Sequence, residues 1–149
     1  LSVPARDRGW DSLFAGEGTG ANQLPFILVP IGLTPPRETI LLSEPEAHLH
    51  PKQQAALASL LLTISKREDR QLFIETHSEH VLHSLLHAVA TRKLDRDEFA
   101  LYYFENKDGT AECRRLEVDE KGRVEDGLPG FFEHSLAELS ELLEALKQN

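Results

Sequence analysis

Ile40-Leu41-Leu42-Ser43-Glu44-Pro45-Glu46-Ala47-His48-Leu49-His50-Pro51 is the stretch on which the fold turns. Thr39 to Leu42 form a continuous run without polar alternation, the pattern of a strand buried on both faces. The run ends in carboxylates. Pro51 then opens a helix, because the first helical turn has no intrahelical use for the N–H that proline lacks. That helix is predicted to reach about Lys66, with Leu57, Leu60, Leu61 and Ile64 on one stripe. The same grammar follows at once. Leu72-Phe73-Ile74 reads as a second buried strand, ending in Glu75-Thr76-His77-Ser78-Glu79-His80. Ser78 is a good N-cap for a helix to about Lys93, with Val81, Leu82, Leu85, Leu86 and Val89 facing inward. Strand, helix, strand, helix in that order implies parallel strands with crossover connections. The spacing therefore predicts neighbouring parallel strands near Glu38–Ser43 and Gln71–Glu75, with Glu44 and His77 at the same end of the sheet.

Outward from this centre the chain changes character. Leu1 to Glu17 are polar and punctuated by glycine and proline, with Trp10 as one large anchor, and read as a loop or lead-in. Gly16-Glu17-Gly18-Thr19-Gly20 is a glycine-rich turn. Helical periodicity then runs from about Asn22 to Gly32, which places Pro25 in a tolerant first turn, and Thr34-Pro35-Pro36 stops it. Downstream, Phe99–Phe104 and Ala111–Val118 are predicted to pair across a hairpin turn at Asn106-Lys107-Asp108-Gly109, and Lys121-Gly122 marks another turn. Leu136, Leu139, Leu142, Leu143 and Leu146 recur at helical spacing in an amphipathic tail from about Phe131 to Lys147. The expected fold is α/β, a mostly parallel sheet flanked by helices, ending in an antiparallel hairpin and a C-terminal helix.

Composition narrows the functional classes. The 149 residues are 40% hydrophobic and 28% charged, ordinary for a globular chain of one modest domain. A net charge of −9 argues against a free-standing DNA binder, since a polyanion is repelled by the average surface. Cys113 is alone and cannot form an internal disulfide, which suits a reducing cytoplasm. The longest apolar run, Leu24 to Leu33, is broken by Pro25, Pro30 and Gly32 and is shorter than the roughly 20 residues a membrane span needs. The chain opens on Leu1 rather than Met, as a processed product or a piece of a longer chain would.

Three stretches could carry chemistry. Ligands of open α/β sheets bind at the carboxyl ends of strands. A carboxylate held there, such as Glu44, can orient a water or reach a metal; equally, Glu44 and Glu46 could be solvated acids favouring a helix N-terminus. His77 at the second strand tip could bond a phosphate oxygen or a water, or simply cap and pack. Gly18-Thr19-Gly20-Ala21-Asn22-Gln23 presents backbone N–H groups at a helix start, an anion site of modest specificity. No Gly-Lys-Ser/Thr occurs in the chain, so it contains no Walker A loop.

Taken together, these motifs resemble the distal half of an ABC-type, P-loop NTPase-like ATPase, and most closely the predicted ATPases related to the SMC, RecF and OLD proteins (the AAA-family group). Glu44-Pro45-Glu46-Ala47-His48-Leu49-His50-Pro51 is similar to the group's Glu-Pro-Glu-x-His-Leu-His-Pro segment, and Glu75-Thr76-His77-Ser78 to its Thr-His-Ser switch. Arg115-Leu116-Glu117-Val118-Asp119 and Gly130-Phe131-Phe132 resemble the small C-terminal extension of one subfamily. The resemblance implies an ATPase portion over residues 1–95 and an extension over residues 96–149. It implies that Glu44 polarises the attacking water and that His77 lies near the γ-phosphate. Glu46, His48 and His50 would belong to the D-loop at a dimer interface. Gly18, Gly20, Asn22 and Gln23 would form the signature segment facing ATP held by the opposite subunit, although Asn22 stands where Ser is common. Ser43 stands where the family has an acidic residue associated with Mg²⁺, a departure that bears on metal binding.

ATP and Mg²⁺ are thus implied as cofactors only together with a Walker A-bearing segment. The complete protein is expected to act as a cytoplasmic homodimer in DNA maintenance or defence against foreign DNA, with DNA or a nuclease partner engaged through other regions and no membrane contact. Two alternatives stay open at this level. His48-Leu49-His50 with His77 could form a Zn²⁺ or two-metal hydrolase site, or the chain could be a degenerate cassette kept as a scaffold.

Overall fold

The computed structural model describes residues 2–5, 10–13, 19–125 and 127, with side chains from Leu24 onward. The elements run β1 (Ser2–Ala5), β2 (Trp10–Leu13), α1 (Thr19–Leu33), β3 (Thr39–Ser43), α2 (Pro51–Glu68), β4 (Gln71–Glu75), α3 (Glu79–Ala90), β5 (Leu101–Lys107) and β6 (Thr110–Leu116). They form an α/β chain of two compact units, whose boundary falls between Ser84 and Leu85 within α3. The expected C-terminal helix from about Phe131 lies outside the described residues.

In the first unit β3 and β4 are parallel neighbours, with Thr39 opposite Gln71 and Ser43 opposite Glu75. Ile40, Leu42, Leu72 and Ile74 point to one side and pack against a buried cluster of Ile31, Leu49, Leu57 and Leu61, joined by Leu24, Ile27 and Ile64. Helices α1 and α2 therefore cover one face of the strands. The other face departs from expectation. Leu41 is 76% and Phe73 53% exposed, so these strands are not buried on both sides among the described residues. The reason is geometric. Successive strand residues alternate faces, and within the described residues β3 and β4 have only each other as neighbours and helices on one side.

Helix α1 begins at Thr19, three residues earlier than the periodicity suggested, so Pro25 and Pro30 both lie inside it. Gly20 is then part of the helix rather than of a preceding turn. Helix α2 begins as foreseen at Pro51 and is capped by a reciprocal pair. The His50 imidazole Nδ1 accepts from Lys52 N–H at 3.4 Å, and the Gln53 side chain accepts from His50 N–H at 3.1 Å. Leu57 and Leu61 are buried as expected, but Leu60 is 40% exposed and lies off the core stripe. Helix α3 has Ser78 as its N-cap, with Oγ accepting from His80 N–H and Val81 N–H, both at 3.1 Å. It ends at Ala90 rather than Lys93. Arg92 turns into the left-handed region at φ 56°, and the Lys93 and Leu94 N–H groups close back on the Ala88 carbonyl at 2.8 and 3.1 Å.

The N-terminal segment corrects a second expectation. Instead of a loop, Ser2–Ala5 and Trp10–Leu13 pair antiparallel, Ser2 opposite Leu13 and Ala5 opposite Trp10. Four-residue strands interrupted by Pro4 carry too short a pattern to announce themselves. In the second unit β5 and β6 form the expected antiparallel hairpin, turning at Asp108-Gly109, with Gly109 at φ 82°. Arg114 lies over the Tyr103 ring at 5.2 Å. Beyond it Asp119 organises the next turn. Its Oδ1 accepts from Lys121 and Arg123 N–H, and these bonds with the Arg123 guanidinium hold its carboxyl below the usual carboxylate range.

Arg70 was not singled out by its sequence surroundings, yet it ties α1 to the start of β4. It is 5% exposed. Its guanidinium donates to the Ile31 carbonyl at 2.6 Å and to the Thr34 carbonyl, and pairs with Glu68. Those carbonyls belong to the end of α1, where helical acceptors lack partners. Arg70→Met should therefore lower unfolding free energy by roughly 2–4 kcal/mol, read as an earlier urea midpoint, because it removes a buried guanidinium's bonds to the Ile31 and Thr34 carbonyls and its pairing with Glu68. Gly122→Ala should be comparably damaging to the second unit. Gly122 sits at φ 69°, and an added Cβ would lie 2.2 Å from the Leu86 carbonyl oxygen, which a loss of cooperative unfolding in that unit would reveal.

Candidate functional site

The site grows from the two strand tips. Because β3 and β4 are parallel and in register, Ser43 and Glu75 finish side by side, and Ser43 Oγ donates to Glu75 Oε2 at 2.8 Å. Pairing continues one residue further, with Glu44 N–H donating to the Glu75 carbonyl at 2.9 Å. This holds Glu44 in the left-handed region at φ 43°, a conformation costly for a residue with a Cβ. The following turns keep it there, as Ala47 N–H donates to the Glu44 carbonyl and Leu49 N–H to the Glu46 carbonyl, both at 3.0 Å. The outcome is a carboxylate presented at the sheet end. His77 Nε2 lies 3.5 Å from Glu44 Oε1, with the side chains 78% and 50% exposed. The two residues expected to share the strand tip do so.

Glu46 behaves differently from its neighbours. It is 4% exposed, and its Oε1 accepts from Thr76 Oγ, while its Oε2 is buried without a hydrogen-bond partner. Thr76 Oγ in turn accepts from Ser78 N–H at 2.9 Å, and Ser78 Oγ donates to Gln54 Oε1 at 2.6 Å. A continuous chain of bonds thus runs from the loop after Glu44, through the residues flanking His77, to α2. An open cavity of about 460 Å³ is lined here by Glu46, Gln54, His77, Ser78 and His80. Thr76 and Gln54 were missed from sequence; the hydroxyl in Thr76-His77-Ser78 was the available signal for the first, and nothing local announces the second.

His48 and His50 are exposed, and His48 takes φ 62°. The His50 ring caps α2. Among the described residues no three His, Cys, Asp or Glu side chains come together as metal ligands, so His48, His50 and His77 do not assemble a zinc site. His83 and His87 lie exposed on α3. Gly20, Asn22 and Gln23 fall within the first turns of α1, where leading N–H groups have no intrahelical acceptor. Gly18 lies outside the described residues. No helix among the described residues is long and apolar enough to cross a membrane.

Parts of this chain are similar to ATPases of the AAA and SMC kinds. Residues 34–82 match the AAA ATPase domain family, and residues 94–142 match a family described as a protein of unknown function (DUF3696). Among curated proteins, the endonuclease GajA of Bacillus cereus (strain HuB5-5) is 40% identical over 57 residues, a match spanning 33% of this chain and 8% of that protein. Among solved structures, an SMC ATPase described for ATP-driven dimerisation and DNA-stimulated activation has the same fold. It aligns with a TM-score of 0.56 at 15% identity, covering 94% of this chain and 68% of that one. The chain accordingly shares its α/β fold with that SMC ATPase.

Two outcomes check this geometry. His77→Gln should change stability by no more than about 0.5 kcal/mol, since a solvent-exposed pair contributes little, so a thermal melt should overlay that of the parent. Elemental analysis of the purified chain should find no stoichiometric zinc; one tightly bound zinc per chain, lost on replacing His48 and His50 by alanine, would restore the metal-hydrolase alternative.

Proposed function

We propose that this chain is the distal part of an ATP-hydrolysing cassette that works as a dimer, its nucleotide held by a Walker A-bearing segment outside this sequence. The observation that carries the proposal is the meeting of Glu44 and His77 at 3.5 Å on the shared strand tip. Glu44 accepts a proton from the attacking water. His77 orients that water or a phosphate oxygen. Residues 1–95 form the ATPase portion and residues 96–149 the extension. The donor set at the strand tip, carboxylate and hydroxyl oxygens of Ser43, Glu44 and Glu75, is the hard-oxygen chemistry that suits Mg²⁺. Mg²⁺, when bound with the nucleotide, neutralises phosphate charge.

The dimer gives the remaining residues their work. His48 and His50 stand exposed on the loop after Glu44, as a D-loop that meets a second copy requires. The segment of Gly18, Gly20, Asn22 and Gln23 serves the ATP held by the opposite subunit, with N–H groups of the first turn of α1 free to face an anion. The similarity to an endonuclease and to a DNA-stimulated ATPase supports a role in DNA maintenance or foreign-DNA defence, with DNA or a nuclease engaged elsewhere in the protein. Cys113, a free and exposed thiol, suits the cytoplasm. The scaffold reading draws on Ser43 in an acidic position and is separated by turnover.

In the protein that joins this chain to its Walker A segment, Glu44→Gln should lower ATP turnover by about 10²-fold or more while ATP still binds; unchanged turnover would remove Glu44 from the mechanism. The chain by itself lacks the lysine and backbone cradle that hold the β- and γ-phosphates. Calorimetry with Mg-ATP should accordingly show no binding to it, and saturable micromolar binding would overturn the assignment of nucleotide capture to another segment.

A further inference from the structure

Ser43 cannot supply the charge of the acidic residue whose place it takes, yet the structure puts a carboxylate beside it. Ser43 and Glu75 are register partners on adjacent parallel strands. Alternation along each strand sends Ile40, Leu42, Leu72 and Ile74 into the core. It sends Ser43 and Glu75 to the opposite, open face with Leu41 and Phe73. Neighbouring strands lie about 4.8 Å apart, a gap that the two methylenes of a glutamate can largely bridge. The Glu75 carboxylate crosses it and accepts the Ser43 hydroxyl at 2.8 Å. An aspartate at position 43 would place its own carboxylate in the same neighbourhood. In donating its proton, Ser43 also keeps lone pairs on Oγ that can face a cation or its water.

We infer that Glu75 replaces the missing acid of position 43, so that the Ser43–Glu75 pair, rather than Ser43 alone, forms the metal-orienting group of this nucleotide site. The inference rests on the ATPase reading and deepens it. It assigns to the residue before Thr76 a role that neither the switch resemblance nor the Glu44–His77 pair requires. Mg²⁺ bound with nucleotide needs only one or two protein carboxylates, its other ligands being phosphate oxygens and water, so a single displaced carboxylate is sufficient. Because Glu75 is the last residue of β4 and His77 follows two residues on, the metal-orienting group and the switch histidine are positioned by the same strand end.

The test uses the protein that includes the Walker A segment, with Mn²⁺ as the probe, titrated by electron paramagnetic resonance in the presence of a non-hydrolysable ATP analogue. Glu75→Gln should weaken Mn²⁺ binding roughly tenfold or more. Adding Ser43→Asp to that variant should recover most of the loss, because the acid returns to the neighbouring strand. Analogue binding in excess chelator should be equal for parent and variants, which shows that each is folded. Parent-like Mn²⁺ affinity in Glu75→Gln would overturn the inference, as would a double variant no better than the single one. If the parent bound no nucleotide at all, the ATPase reading would fail and this inference with it. If nucleotide bound normally and Mn²⁺ ignored Glu75, only the inference would fail.

Discussion

The parallel register of β3 and β4 is the constraint from which the rest of the site follows. With Ser43 opposite Glu75, the chain leaves both strands at one level and one end of the sheet. A slip of one residue would exchange the faces of every side chain on a strand, sending Ser43 or Glu75 towards the apolar cluster and turning Ile40 and Leu42, or Leu72 and Ile74, out to the open face. Packing of Ile40, Leu42, Leu72 and Ile74 against Ile31, Leu49, Leu57 and Leu61 opposes this, since the slip would bring a polar Ser43 or Glu75 to that apolar cluster. Hydrophobic burial on one face thus sets the polar geometry on the other. The side chains that carry the proposed chemistry are exposed and contribute little to the stability that positions them.

Between the strand tips and the helices, position is conveyed by half-buried polar bonds. Glu46 holds Thr76, and Thr76 holds the Ser78 N–H, so the residues on both sides of His77 are tied to the loop that follows Glu44. Ser78 both caps α3 and bonds Gln54 of α2. Polar networks of this sort specify one arrangement because their unpaired forms are costly. Arg70 does the same for the far end of the unit, linking the last carbonyls of α1 to the turn before β4. Helix α1 and the strand that leads to His77 are thereby joined through one side chain.

What could be read in the sequence is what is decided locally. Pro51, Ser78 and the turn at Asp108-Gly109 announce caps and turns through the chemistry of a few adjacent residues, and all three stand where they were expected. The strands and their parallel pairing were legible from apolar runs and alternation with helices. The two-sided burial of those strands was not, because an apolar run states which residues can be buried and not how many layers lie over them. The N-terminal hairpin escaped because four-residue strands containing Pro4 offer no period to detect. The early start of α1 escaped because Gly20, a weak helix former, reads as punctuation. Arg70, the Glu46–Thr76 bond and the Ser43–Glu75 bond join residues about 30 or more apart in sequence, and no local pattern encodes them.

Ser43 shows how far a motif can be trusted. Read along the chain, it is a defect, an uncharged residue in an acidic position, and it favours a scaffold. Read across the sheet, the same position carries a carboxylate, delivered by the neighbouring strand through a hydrogen bond that the serine itself donates. A metal site requires charge at a point in space, and residues on adjacent strands can supply that charge interchangeably when their register brings them together. The exposure of Leu41 and Phe73 on the same face supports the view that this strand pair belongs to a larger layered sheet. On that face the carboxylate stands at the end of an apolar surface, where a layer packed over the strands would exclude water and strengthen the cation contact proposed for it.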